Sequence, residues 1–195
     1  MSEEAERSGL PIMPFEGQAA LETWLEQQPR DHKGIWLKLA KKNAGVPSVT
    51  QREAVDAGLI HGWIDGLINR FDERFYLLRF TPRRPKSSWS LVNVERVAEL
   101  LAAGRMSPAG LDEVERAKAD GRWERAYPPA SRIEVPEDLR AALGGDPKAG
   151  AFFATLTGAN RYAILVRLHE TRSPDARARK LREYVAMLAR GETIY

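Results

Sequence analysis

Apolar side chains recur at helical spacing in several segments of the chain. Leu21, Trp24 and Leu25 fall at positions i, i+3 and i+4, and this spacing predicts a helix over about residues 16–28. The same pattern predicts a helix over about 91–103. In the last segment, positions 181, 184, 185 and 188 form the apolar stripe of a final helix that ends at Gly191.

Strict alternation of apolar and polar positions indicates strands elsewhere. In the segment 34–42, Ile35, Leu37 and Leu39 face one side, which is typical of a half-buried strand. Residues 63–68 and 75–81 also have strand character, and the short polar turn 69–74 would join them as a hairpin.

Helix starts are marked by polar caps and prolines. Thr50 and Glu53 have the spacing of a capping box, which predicts a helix from there to about His61. Ser107-Pro108 predicts another helix to about residue 120, and Asp-Pro at 146–147 and Ser-Pro at 173–174 predict two more.

These elements predict an α+β protein. Its N-terminal mixed domain would have a small antiparallel sheet of about three strands flanked by helices, and an all-helical C-terminal subdomain would follow. The predicted boundaries are a flexible tail over 1–14, the α+β domain over 15–122, a proline-rich linker or strap over 123–136 and a helical subdomain over 137–195. About 60 residues bury little surface by themselves, so we expect the helical subdomain to pack on the first domain.

Composition narrows the function classes. The 195 residues include no cysteine, which excludes disulfides, thiolate metal sites and cysteine catalysis. The three histidines are far apart in sequence and no nucleotide-binding motif is present, so no metal and no cofactor is expected. No apolar run has the length of a membrane span, and the acidic start is unlike a secretory signal, which predicts a cytoplasmic protein.

Positive charge is concentrated in two places. The net charge is +3, but residues 161–190 contain eight basic and only three acidic side chains. This run of charge is interpreted either as a solvated helical face or as a binding surface. The second concentration is the loop 81–90, which contains Arg83, Arg84 and Lys86 and no acidic residue.

The segment 61–66 (HGWIDG) is the first candidate site. If a strand begins at Trp63, then Trp63 and Asp65 point to the same face of the sheet. Asp65 could bind a polar ligand or act as a general base with a pKa raised by burial. Alternatively, Trp63 belongs to the core, Asp65 caps a turn or pairs with an arginine, and His61 is favoured simply by the helix C-terminus.

The basic loop is the second candidate site. Arg83, Arg84 and Lys86 precede the start of a helix, where amide groups favour anions, and Ser88 adds a hydroxyl group. Trp89 could stack on a base or a sugar. Alternatively, the arginines pair with neighbouring acidic side chains and Trp89 fills the core.

Several longer strings resemble one family. The strings are 45–50 (GVPSVT), 62–66 (GWIDG), 79–90 (RFTPRRPKSSWS), 93–95 (NVE), 104–110 (GRMSPAG), 117–123 (AKADGRW) and 186–192 (AMLARGE). Together they resemble the YdeI/OmpD-associated, or bacteriocin-protection, family over nearly the whole chain beyond about residue 12. The resemblance implies a role in stress or bacteriocin resistance, and its strongest strings coincide with the two candidate sites.

The leading hypothesis is therefore a non-enzymatic cytoplasmic binding protein. Its ligand would be an anionic small molecule or a nucleic-acid phosphate, held by the basic loop with Trp63 and Asp65 in the adjoining wall. One alternative is a small enzyme in which Asp65 is the general base and Arg83 and Arg84 hold an anionic substrate. Another is a protein interaction module or homodimer that uses the helical tail, which would require an exposed apolar patch there.

Overall fold

The computed structural model describes residues 6–195, which form two compact units. The first unit extends to Ser87 and also contains Asn93–Trp123. The second consists of Ser88–Val92 and Glu124–Tyr195. The α+β class and the helical C-terminal region are confirmed, whereas the packing of one unit on the other stays a prediction.

The first unit is built on a five-stranded mixed sheet. Its strands are β1 (Glu6–Arg7), β2 (Leu10–Pro14), β3 (Ile35–Ala40), β4 (Trp63–Arg70) and β5 (Phe75–Pro82). They lie in the order β1-β2-β3-β5-β4, in which β2 and β3 are parallel and the other neighbours are antiparallel. The predicted hairpin is thus the pair β4–β5.

The three predicted strands are present as β3, β4 and β5 and are antiparallel, and the N-terminal segment adds two more, which makes the sheet mixed. Residues 1–14 were expected to form a flexible tail. Residues 6–14 form β1, a turn and β2 instead, and residues 1–5 lie outside the described part of the chain. Leu10 is buried and packs with Trp36 and Leu77 on one face of the sheet. Pro11 and Pro14 conceal β2 in the sequence, because proline lacks the amide donor of a regular strand.

Four helices belong wholly or largely to the first unit. They are α1 (Gln18–Glu26), α2 (Gln51–His61), α3 (Leu91–Ala102), which enters this unit at Asn93, and α4 (Pro108–Ala119). The capping box of α2 is confirmed, with Thr50 and Glu53 bonded to each other's backbone amides. Leu21, Leu37 and Phe80 are fully buried in the main core, where α1 and α2 cover the sheet.

The ends of α2 and α4 meet backbone to backbone. The Ser107 hydroxyl caps α4 by accepting from the amide of Gly110, and it also donates to the carbonyl of Ile60 at 2.7 Å. A Cβ atom placed on Gly110 would lie 2.2 Å from that same carbonyl oxygen. Only glycine permits this approach, so α4 begins directly beside the last turn of α2.

The second unit is helical. Its helices are α5 (Glu137–Gly144), α6 (Pro147–Thr155), α7 (Gly158–His169) and α8 (Pro174–Ala189) around a core that includes Leu139, Ile164 and Leu188. Ahead of α5 the chain is extended. The Tyr127 amide donates to the carbonyl of Trp89, and the Leu91 amide donates to the carbonyl of Tyr127, both at 2.9 Å.

Several arginines of the charged segment 161–190 have structural contacts. Arg177 makes a two-pronged ion pair with Asp138 and donates to the carbonyl of Leu168. Arg161 lies over the ring of Phe153, and Arg167 lies 5.8 Å from the ring centroid of Tyr195. These contacts favour a structural interpretation of much of the positive charge. Over residues 6–195, no helix combines the length and apolar character needed to cross a membrane.

Candidate functional site

The first unit contains a cavity of about 550 Å³. Its walls come from the C-terminal end of α1 and the loop after it, the end of α2, the start of β4, the end of β5 with the basic loop, and the N-terminal half of α4. The volume is in the range of pockets that enclose small molecules. The close approach of α2 and α4 brings Gly62 and Ser107 into the same wall.

Arg83 is the most buried basic side chain of the cavity wall, with 6% of its surface exposed. It directly follows β5, and its backbone amide donates to the carbonyl of Gly62 at 2.9 Å. This bond ties the basic loop to the end of α2. Burial raises the pKa of the carboxyl groups of Asp65 and Glu113, and the charge of the Arg83 guanidinium counteracts the rise in both.

Glu113 places a carboxyl group in the same wall, also 6% exposed. One of its oxygens accepts from Arg116, while Oε2 has no hydrogen-bond partner among residues 6–195. Burial raises the pKa of Glu113, against the opposing effect of Arg116, Arg83, Arg30 and Arg122, which are placed to favour the charged form.

His61 closes α2 and lines the cavity at 8% exposure. Desolvation lowers its pKa, although Glu22 and Glu26 of α1 act in the opposite direction. Within the described chain its Nε2 atom has no hydrogen-bond partner. The ring is therefore favoured in the neutral form near pH 7, when one nitrogen can donate and the other accept.

Trp63 is both a core residue and part of the cavity wall. Its ring stacks on Phe80 at 5.5 Å and meets Trp24 edge-on at 5.6 Å, while His32 lies 5.4 Å away. This aromatic cluster holds the indole in one orientation, as expected for preferred ring geometries. Leu25 of α1 adds a second apolar side chain to the lining.

Exposed charges surround the cavity. Glu26, Arg30 and Asp31 come from the end of α1 and the following loop, and Arg116 comes from α4. Arg30 is paired with Asp112 of α4. Counted together, the three arginines and three acidic residues of the lining balance when all are ionised.

Two of the predicted ligand-binding residues meet at this cavity, namely Trp63 and Arg83, and His61 of the first candidate segment lies beside them in the lining. Asp65 is half-buried two residues along β4 and outside the lining. Burial raises its pKa, while its own backbone amide and Arg83 counteract the rise. Arg84 and Lys86 are exposed on the basic loop.

The remaining predicted residues belong to the other unit. Ser88 is exposed, and Trp89 is 2% exposed. The burial of Trp89 agrees with its alternative interpretation as a core residue. Stacking of a ligand on its ring stays a prediction.

Glu113 is a cavity residue that the sequence analysis missed. Positions 110, 113, 114 and 117 share the buried face of α4, so a carboxylate interrupts an otherwise apolar stripe. That interruption is the available sequence signal. Among residues 6–195, no group of three or more histidine or acidic side chains is placed to hold a metal ion.

The chain is an α+β protein of two compact units, with a charged cavity in the sheet-containing unit. A family model described as a domain of unknown function (DUF8412) matches residues 13–113, more than half of the chain, so the chain belongs to that family.

A second model, described as "Bacteriocin-protection, YdeI or OmpD-Associated", matches residues 132–191 and confirms the resemblance there. The earlier strings between 45 and 110 fall in the first match instead. Comparisons with curated proteins and with solved structures gave no match.

Proposed function

We propose that this protein is a binding protein whose first unit encloses a small anionic molecule, with Arg83 holding the anion. The observation that carries the proposal is the placement of Arg83, a residue with 6% of its surface exposed, in the wall of a cavity of about 550 Å³. A guanidinium offers a planar, two-pronged donor pair to a carboxylate or phosphate, and it keeps its charge when buried.

The size of the cavity favours a small molecule over a nucleic-acid strand. A strand is normally bound along an open, positively charged groove. Here the arginines of the lining are accompanied by Glu26, Asp31 and Glu113, which would repel a continuous phosphate backbone.

The exposed part of the basic loop supports the anion site indirectly. Arg84 and Lys86 flank Pro85, which lines the cavity. Their charges would raise the local concentration of anions and the rate of encounter without holding the ligand. The role in bacteriocin protection or stress resistance is proposed from the description of the family matched by residues 132–191.

No observation favours the enzyme in which Asp65 is the general base, since Asp65 lies outside the lining. The interaction module has little support in the helical part. Of the large hydrophobic side chains exposed in the described chain, only Tyr195 lies in residues 137–195.

The experiment measures binding of benzoate and phenyl phosphate to the full chain by calorimetry, with benzyl alcohol as the neutral probe. We expect one saturable site for at least one of the anions and none for the alcohol. Arg83→Gln should weaken binding about tenfold or more, because it removes a charged hydrogen-bond donor.

Arg84→Gln is the matched control, since it removes the same charge from the exposed neighbouring position. It should change mainly the salt dependence of the association rate. Arg83→Lys separates loss of charge from loss of the two-pronged geometry, and a thermal melt of each variant verifies folding. Anion binding that is unchanged in a folded Arg83→Gln variant, or absent in the wild type, would contradict the proposal. Salt-sensitive binding of oligonucleotides alone would favour the nucleic-acid alternative.

A further inference from the structure

Resting on the anion site proposed above, we propose that the ligand of the cavity is a zwitterion, namely an amino acid or a short peptide with a free ammonium group and a free carboxylate. The observation behind this is where the lining charges lie once two ion pairs are considered: Arg30 on the α1 side is paired with Asp112, and Glu113 of α4 is paired with Arg116. Glu26 and Asp31 come from the end of α1 and its loop, whereas Arg83 and Arg116 come from the loop after β5 and from α4.

The two carboxylates of the α1 wall are available to a ligand. Neither Glu26 nor Asp31 forms an ion pair or a side-chain hydrogen bond within residues 6–195, and both side chains are exposed. The cation between them in sequence, Arg30, is held by Asp112 of α4.

A ligand with only negative charge fits this arrangement poorly. An anion held by Arg83 would enter a cavity whose α1 wall carries two more negative charges, and like charges repel through the cavity more strongly than through bulk water. An ammonium group placed beside Glu26 and Asp31 turns that repulsion into attraction. Its three donors suit carboxylate oxygens.

The lining between the charged walls is apolar. Leu25 and Trp63 contribute aliphatic and aromatic surface, and Pro82, Pro85 and Pro108 add three rings that have no hydrogen-bond donor. An apolar side chain of the ligand would be buried here, and removing its apolar surface from water is favourable. This favours a hydrophobic amino acid or peptide end over a sugar or a nucleotide.

The test uses matched ligands with the full-length protein. L-Phenylalanine and L-leucine carry both charges, their N-acetyl derivatives lack the ammonium group, and their amides lack the carboxylate. We expect phenylalanine or leucine, or both, to bind about tenfold or more tighter than its own N-acetyl derivative and its own amide. Each derivative loses one charged contact.

Variants of the protein identify the side chains that bind the ammonium group of the ligand. The double variant Glu26→Gln/Asp31→Asn should lower the affinity for the free amino acid to that for its N-acetyl derivative, and should leave binding of the N-acetyl derivative unchanged or stronger. Glu115→Gln is the control, because Glu115 is an exposed acid of α4 outside the lining.

The outcomes separate this inference from the proposed function. If the N-acetyl derivatives bind as tightly as the free amino acids, and Arg83→Gln abolishes both, the zwitterion is refuted and the anion site stands. If the amides bind best and Arg83→Gln has no effect, both proposals are refuted. Absence of binding by every member of both series, while benzoate or phenyl phosphate binds, overturns the zwitterion alone.

Discussion

Two opposing influences act on the carboxyl group of Glu113, and they make it the most informative single residue of the cavity. Burial favours its protonated form, and four arginines led by Arg116 favour its ionised form. Burial is the larger effect, so the pKa is raised. Its charge can therefore change at a less acidic pH than that of an ordinary glutamate.

Anion binding should consequently depend on the protonation of Glu113. When Glu113 takes up a proton, the lining changes from balanced to one net positive charge. We expect the affinity for benzoate to rise as the pH falls towards the raised pKa of Glu113, over the range in which benzoate itself stays ionised. Glu113→Gln should bind benzoate tightly throughout, with a flatter pH profile in calorimetry. An equally steep profile in that variant would show that His61 or another group is responsible.

Asp65 gives a prediction about stability. Its pKa is raised in the folded state mainly by burial, so between the unfolded and folded pKa values the folded protein binds more protons than the unfolded chain. Stability then falls as the pH rises through this window and stays lower above it. Asp65→Asn should melt at a higher temperature than the wild type at about pH 8, with no such advantage at about pH 4. A variant that is less stable at both pH values would contradict this account.

At the scale of elements, the contact between α2 and α4 decides where the cavity forms. The sequence predicts both helices and their starts, because the capping box at Thr50 and the pair Ser107-Pro108 act locally. It does not predict that the helices touch backbone to backbone. That contact depends on the fit of Gly110 against Ile60, and the two residues are distant in sequence. Trp63 and Arg83 could be predicted as candidate site residues because each lies in a distinctive local string. The position of Glu113 in the cavity wall depends instead on the packing of α4 against α2.

Gly110→Ala tests this contact. The added methyl group would lie 2.2 Å from the carbonyl oxygen of Ile60 and 2.6 Å from that of Leu59, so α4 must shift away from α2. We expect a loss of about 3 kcal/mol or more in the free energy of unfolding, measured by urea denaturation. Gly144→Ala is the matched control, since a Cβ there meets no atom within 4 Å. Equal effects of the two substitutions would refute the close crossing.

At the scale of the whole molecule, the boundary between the two units is crossed more than once by the chain. Ser88–Val92 belongs to the second unit, although the residues on both sides of it belong to the first. Its contact with Tyr127 is made by two backbone hydrogen bonds, and Trp89 is buried there. The sequence predicts a domain boundary near 123. It does not predict that Ser88–Val92 belongs to the second unit, because a five-residue segment has no periodicity of its own.

Trp89→Ala should therefore weaken the second unit first. Removing a buried tryptophan costs about 3–5 kcal/mol. We expect faster hydrogen exchange at the amides of Leu91 and Tyr127 and in α5–α8, with smaller changes in β3. Leu67→Ala, at an exposed position, is the control. Faster exchange confined to the first unit would contradict the assignment of Ser88–Val92 to the second.

The assignment of Ser88–Val92 to the second unit limits where genes for such chains can recombine. This segment lies inside the match to the first family, over 13–113, yet structurally it belongs with the region that contains the match to the second. A genetic exchange that replaced the chain after the first match would separate Trp89, a buried residue of the second unit, from the rest of that unit. Natural chains that carry the first family without the second should therefore have a small or polar residue at the position of Trp89, and recombination should have preserved the two regions as a pair wherever the tryptophan is kept.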